Sequence, residues 1–187
     1  MQEKIYLRSL SLNDITEKYL FWVNNRSVTE YLEIGKQRIE HDDLVKYIKD
    51  SPKNGRYNYA IITQNSEHHI GNGSLHSIDV NSKNFTIGWF VGEKEFWGGH
   101  YSSLTIFNLL KIGFIDMGLE KCIGAVNKNH IKARMTNNFS GFKELETRFV
   151  EIDNKKNTLI NLEITKKEWL ARAKILHSQF PALYDEY

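Results

Sequence analysis

Cysteine is nearly absent from the chain: Cys122 stands alone among 187 residues. One thiol excludes an intrachain disulfide framework and a cysteine-based metal site. The scarcity fits a reducing cytosol. No apolar run approaches membrane-spanning length, and the opening Met-Gln-Glu-Lys carries no apolar stretch of the signal-peptide kind. A cytoplasmic protein without a membrane partner is therefore expected. An excess of one charge is missing too. Lys and Arg number 25 and Asp and Glu 23, a net charge of +2, so no strong field for nucleic acid arises. Repeats and low-complexity segments are lacking. The composition, 41% hydrophobic and 26% charged, is that of a globular domain. The length suits one domain with a core rather than two small ones. That domain is expected over residues 1–178, with 179–187 as a loose tail once Pro181 ends the order.

What is present centres on Thr86 to Phe114, TIGWFVGEKEFWGGHYSSLTIFNLLKIGF. Mixed β-branched and aromatic residues over Thr86–Gly92 predict a strand. Trp97-Gly98-Gly99-His100 is a turn, and Phe107, Leu110, Phe114 and Met117 share one face of a long helix. A turn running straight into a helix leaves free N–H groups and a positive dipole end, a combination suited to phosphate. Two nucleotide motifs are missing. A Walker loop needs Gly-Lys-Ser/Thr where His100-Tyr101 follows Gly99, and the dinucleotide pattern Gly-x-Gly-x-x-Gly does not occur here.

The remaining elements follow from periodicity. Strands are expected over Ile5–Leu10, Tyr57–Thr63, His69–Asp79, Phe85–Gly92 and Lys121–Asn127, at Phe149-Val150 and over Thr158–Ile164. Asn13 or Asp14 can cap a first helix carrying Ile15, Tyr19, Trp22 and Val23 inward, with a further turn over Arg26–Tyr31 before Gly35-Lys36. Glu40–Lys49 and residues 130–139 read as helices, and Thr165 with Glu168 forms a capping box for a last one. The order β-α-α-β-β-β-α-β-α-β-β plus a helix predicts an α+β fold with a mixed, mostly antiparallel sheet.

Ile87-Gly88-Trp89-Phe90 followed by Phe96-Trp97-Gly98-Gly99-His100-Tyr101-Ser102-Ser103 resembles the acetyl-CoA motif of the GNAT N-acetyltransferases. The branch it resembles includes the ribosomal-protein N-acetyltransferases. Tyr6-Leu7-Arg8-Ser9-Leu10 with Asp14 and Trp22-Val23-Asn24-Asn25 is similar to that branch's opening. Ile70-Gly71-Asn72-Gly73, and Asn129 to Ala133 followed by Ser140-Gly141-Phe142-Lys143-Glu144, match further pieces in the family's order over roughly residues 5–165. The resemblance implies a GNAT fold, its sheet splayed where acetyl-CoA binds.

Acetyl transfer from a thioester to an amine needs a neutral amine, a stabilised oxyanion and a leaving thiolate. No covalent enzyme intermediate is required when amine and thioester are held together. The resemblance implies that Trp89, Phe90, Val91 and Gly92 contact the pantetheine arm. It implies that Gly98, Gly99, His100, Tyr101, Ser102 and Ser103 hold the pyrophosphate. His100 stands where the family usually has a second glycine, a costly exchange if that site needs positive φ. Either Asn129 or His130 matches the family asparagine on the pantetheine arm, with Ala133 as the small residue after it. Many relatives place a tyrosine where Asn137 stands, to protonate the thiolate; none occurs from Asn127 through Phe142. The base candidates are His76, on the strand beside the central one, and Glu93, which ends that strand; a packed histidine and a solvated acid remain open as plain readings. His68 and His69 lack cysteine partners or regular acidic spacing, so no metal is expected. Trp22, Asn25, Tyr31 and Glu33 are the expected acceptor wall.

The expected partners are acetyl-CoA and a small amine, in a monomer or homodimer. The opening resembles relatives that acetylate amino sugars on nucleotides for surface polysaccharides. A protein N-terminus, a polyamine or an antibiotic is the alternative acceptor. A coenzyme-binding relative without turnover is the alternative class.

Overall fold

The computed structural model describes residues 3–32, 34, 37–152 and 155–187. Alternating sequences form seven strands: β1 Ile5–Ser9, β2 Tyr57–Thr63, β3 His69–Asp79, β4 Asn84–Val91, β5 Lys121–Asn127, β6 Lys143–Ile152 and β7 Lys155–Thr165. They make one open sheet in the order β1-β2-β3-β4-β5-β7-β6. Every neighbouring pair is antiparallel except β4 with β5. That parallel step requires a crossover, and the long helix α4, Tyr101–Lys111, supplies it. The fold is the α+β arrangement expected, although β6 and β7 form a longer hairpin than the periodicity suggests.

The remaining helices are α1 Glu17–Asn24, α2 Arg26–Thr29, α3 His41–Asp50, α5 Ile131–Phe139 and α6 Lys166–Gln179. Asp14 does not cap α1 as expected. The Arg8 guanidinium holds its carboxylate at 2.6 and 2.8 Å, and Ser11 bonds to it as well. Asp14 therefore closes a short 3-10 turn over Leu12–Asp14, and Thr16 caps α1 by accepting from the Tyr19 N–H. The Thr165–Glu168 box at α6 is as expected. No helix among the described residues is long and apolar enough to cross a membrane.

Two cores flank the sheet. On one face, α1 and α3 bury Tyr19, Trp22, Val23 and Leu44 against Ala60, Ile62 and Phe90. On the other, α4 and α6 bury Phe107, Leu110 and Trp169 against Phe85, Val91 and Ile164. The last residues are not a loose tail. Tyr184 is fully buried, its hydroxyl 2.9 Å from that of Ser103 on α4, and the Lys111 ammonium lies over the Tyr187 ring. Aromatic area of this size is costly to leave in water, and Pro181 ends only the helix.

Beyond Lys111 the helix widens into a π turn over Ile112–Asp116 and leaves at Gly118, in the left-handed region at φ +69°. Gly113 lies in that turn with the Phe85 ring against its bare Cα, and Phe85 stacks edge-on to Phe114 with ring centroids 5.2 Å apart. A Cβ at Gly113 would enter the ring's van der Waals surface, whereas one at Gly124 meets nothing within 4 Å. Gly113→Ala should therefore lower unfolding stability by about 1–3 kcal/mol, read from urea midpoints, with Gly124→Ala close to wild type as the control.

Candidate active site

The parallel strands β4 and β5 are paired only at Asn84 with Lys121 and Phe85 with Cys122. Beyond that point β5 stays on β7 through seven residue pairs, while β4 stays on β3. The two strands therefore splay apart, and β4 from Thr86 to Val91 has an open edge. Strand parity says which groups line it. Gly92 N–H bonds to Ile70 O on β3, so even-numbered residues of β4 turn their backbone groups to β3. Those of Ile87, Trp89 and Val91 turn to the gap. The Cys122 thiol meets the Ile87 backbone at the apex. Trp97 Nε1 donates to Val91 O at the mouth, at 2.8 Å. Among the described residues, the gap-facing N–H and C=O of Trp89 have no such partner.

At the mouth stands the start of α4. His100 is its N-cap, and no side chain caps it. The first N–H groups of α4 face outward without an intrahelical acceptor, as at any helix start. Gly98 takes the left-handed position at φ +78°, while His100 sits at φ −77°. The exchange for the family's second glycine therefore costs no backbone strain. The His100 ring packs against Phe180 and Phe139, at 5.1 and 5.9 Å between centroids. Ser102 is half-buried, but the Ser103 and Tyr101 side chains are buried. The Ser103 hydroxyl bonds to His100 O and to Tyr184, so it points inward rather than at a phosphate as expected. Lys94 and Lys132 both lie 5.8 Å from the Trp97 ring centroid.

Across the gap, His130 is the N-cap of α5, and its Nδ1 accepts from Ala133 N–H at 3.4 Å. Burial holds its imidazole below the usual range, against the pull of Glu30. Asn129 is exposed in the turn before it, its N–H bonded to Asn127. Tyr31, arriving from α2, stacks on His130 at 4.3 Å. Among the described residues, this stack bridges the cleft from the roof to the far wall.

The rest of the expected acceptor wall is placed differently. Trp22 is 1% exposed, with Gly92 under its ring, His69 against its edge and its indole N–H on Glu93 at 3.0 Å. It is core, as its inward helical position dictates. Asn25 spends its side chain capping α2 through Ser27. Glu33 lies outside the described residues. Glu93, accepting from Trp22 and paired with Lys18 at 2.9 Å, pins α1 to the end of β4.

His76 lies elsewhere, roughly 20 Å along the strand direction from Glu93, so the two candidate bases are not brought together. It pairs with Thr86, near the apex, on the sheet face that α1–α3 cover further along. Ser74 Oγ is 3.5 Å from His76 Nδ1 and accepts from Arg56 at 3.2 Å. Gly88 opposes Ser74, and a Cβ there would meet Ser74 and His76 at 3.3 and 3.6 Å. Arg56 drew no notice in the sequence; its only signal is the alternation Arg56, Asn58, Ala60 on one face of β2. The buried Cys122 thiol is pushed upward by desolvation and cannot serve as a nucleophile. Among the described residues no three His, Cys, Asp or Glu side chains gather as a metal site.

The family model described as "Acetyltransferase (GNAT) domain" matches residues 4–143. The chain belongs to the GNAT acetyltransferases, N-acetyltransferases whose acetyl donor is acetyl-CoA. It resembles the spermidine N-acetyltransferase of Vibrio cholerae solved with CoA and spermine, at 20% identity and TM-score 0.78, over 89% of this chain and 98% of that one. A GNAT-family acetyltransferase from Bacillus anthracis is similar at 16% identity and TM-score 0.77, over 90% and 98%. A structure described as a putative acetyltransferase is 16% identical with TM-score 0.79, over 96% and 92%. No curated protein sequence matches.

A branched side chain at the left-handed Gly98 costs about 1–2 kcal/mol. Gly98→Val should raise the acetyl-CoA Kd by about tenfold in calorimetric titration while leaving the fold intact by circular dichroism, since a Cβ there meets nothing within 4 Å.

Proposed function

We propose that the protein transfers the acetyl group of acetyl-CoA to the primary amine of an amino sugar carried on a nucleotide, by direct attack in a ternary complex. The observation that supports it most is the open edge of β4 ending beside the uncapped start of α4. That edge offers backbone pairing to an extended amide chain, and the helix start offers phosphate its N–H groups. Trp89, Phe90, Val91 and Gly92 would line the arm, Gly98, Gly99, His100, Tyr101 and Ser102 would hold the pyrophosphate, and Ser103 would contribute its backbone only. His130 takes the place of the family asparagine, with Ala133 beside it, because His130 rather than Asn129 heads α5 toward the cleft.

Acetyl-CoA supplies a thioester whose C–S bond breaks as the amine nitrogen bonds to the acetyl carbon. The gap-facing N–H of Trp89 stabilises the negative charge gathered on the acetyl oxygen. His76 takes the proton the amine gives up; Glu93, tied to Lys18 and Trp22, holds the roof instead. With no tyrosine between Asn127 and Phe142, the sulfur takes its proton from water. Tyr31 closes the cleft above.

The likeness to a spermidine N-acetyltransferase supports a second acceptor class, the polyamines. One assay separates them: free-thiol release with UDP-glucosamine, spermidine and N-terminal peptides, beside calorimetry with acetyl-CoA. Release on the nucleotide sugar is the expected result. Release on spermidine alone shifts the acceptor, and binding without release on any amine describes a relative without turnover. His76→Ala should cut kcat by about 10²–10⁴, flatten the acid limb of its pH profile and leave the acetyl-CoA Kd unchanged. A Glu93→Gln enzyme should keep that limb and lose thermal stability.

A further inference from the structure

Arg56, Ser74 and His76 gather on one face of the sheet where β2, β3 and β4 lie side by side. Arg56 stands just ahead of β2, Ser74 and His76 lie on β3, and the bare Gly88 of β4 leaves the floor open beside them. Ser74 is buried, whereas Arg56 and His76 are half-buried. The Arg56 guanidinium donates to the neutral Ser74 hydroxyl at 3.2 Å and makes no ion pair among the described residues. Partly buried guanidinium groups are ordinarily satisfied by a carboxylate or a phosphate. Asp14 satisfies Arg8 in this way, and Glu144 satisfies Arg134. A cationic fork with donors to spare, two strands from the open edge of β4, is a recognition group waiting for an anion.

We infer that Arg56 binds a phosphate of the amine acceptor and so selects phosphorylated amines over polycations at this site. The inference rests on the transferase reading given above. The chemistry is directional: the planar fork can hold two phosphate oxygens at once, and the same fixed charge repels a polyamine. Ser74 positions the fork by accepting one of its N–H groups. Gly88 makes room for the sugar, since any side chain there would sit against Ser74 and His76.

The test is acceptor binding to the CoA-loaded protein, read by calorimetry without turnover. The probes are UDP-glucosamine, glucosamine 1-phosphate, glucosamine and spermidine. Wild type should bind the two phosphorylated amines most tightly. Arg56→Ala should weaken them ~10- to 100-fold, the span of one lost charge-assisted contact, with glucosamine unmoved and the CoA Kd within about twofold. Arg56→Lys should recover part of the loss, and Arg56→Glu should make spermidine the preferred ligand. UDP-glucosamine binding more tightly than glucosamine 1-phosphate assigns the group to a diphosphate; the reverse order assigns it to a monophosphate. Equal binding of glucosamine and its phosphate, no binding of either phosphorylated amine, or a wild type that prefers spermidine overturns the assignment. Phosphate-dependent binding with no thiol release from any amine would uphold Arg56 and sink the transferase reading instead.

Discussion

Among the described residues, two residue pairs, Asn84 with Lys121 and Phe85 with Cys122, make up the join of β4 to β5, with Lys83 O just ahead of them accepting from the N–H groups of Glu120 and Lys121. Everything functional depends on that join being short. If β4 and β5 stayed paired, the backbone groups of Trp89 would be consumed by the ladder and no gap would exist. Because β5 leaves with β7, those groups face open space, a cost for a strand in the middle of a sheet. On the proposed function, an extended ligand with amide groups of its own would repay it. The apex is held from below, where Gly113 lets the Phe85 ring reach α4 and the π turn supplies the extra backbone. Strain-free closure at the apex and an unpaired edge beyond it are two sides of one packing solution.

The roof is fixed at one end and lightly attached at the other. Near the mouth, Trp22 fills the space over Gly92, and Glu93 takes both its indole N–H and the Lys18 ammonium. A tryptophan that could have been an acceptor platform is a core pillar instead. Further along, the roof reaches the opposite wall through the stack of Tyr31 on His130. That contact joins the segment that follows α2 to the cap of α5. The open end, with Arg56, Ser74 and His76, is where polar chemistry collects.

The C-terminal residues pack behind the loop that leads into α4. Phe180 braces the His100 ring and Tyr184 holds the Ser103 hydroxyl, while Phe139 from α5 packs against both His100 and Phe180. The loop before α4 is therefore backed by aromatic packing, not by its own glycines alone. This accounts for a histidine where a glycine was expected: the ring has a pocket, and the backbone at φ −77° asks nothing unusual of it.

Local pattern determined much of this molecule. Alternation marked β2, β3 and β5 with the boundaries observed, because an apolar-in, polar-out strand needs only its own residues to declare itself. The Gly98-Gly99 turn before a periodic helix, and the box of Thr165 with Glu168, were legible for the same reason. Tertiary structure decided the rest. Trp22 on α1 and Tyr31 just beyond α2 are both aromatic residues of the expected acceptor wall, and only the packing of α1 on Gly92 and of Tyr31 on His130 separates pillar from lid. Asp14 was drawn from its cap by Arg8, and Tyr184 was drawn into the core from a stretch that reads as tail. Arg56 meets Ser74 only through the pairing of β2 with β3, which sets residues 18 apart in sequence side by side. Periodicity reports what a residue does within its own element; register and crossover, set by the whole sheet, decide which residues share a site.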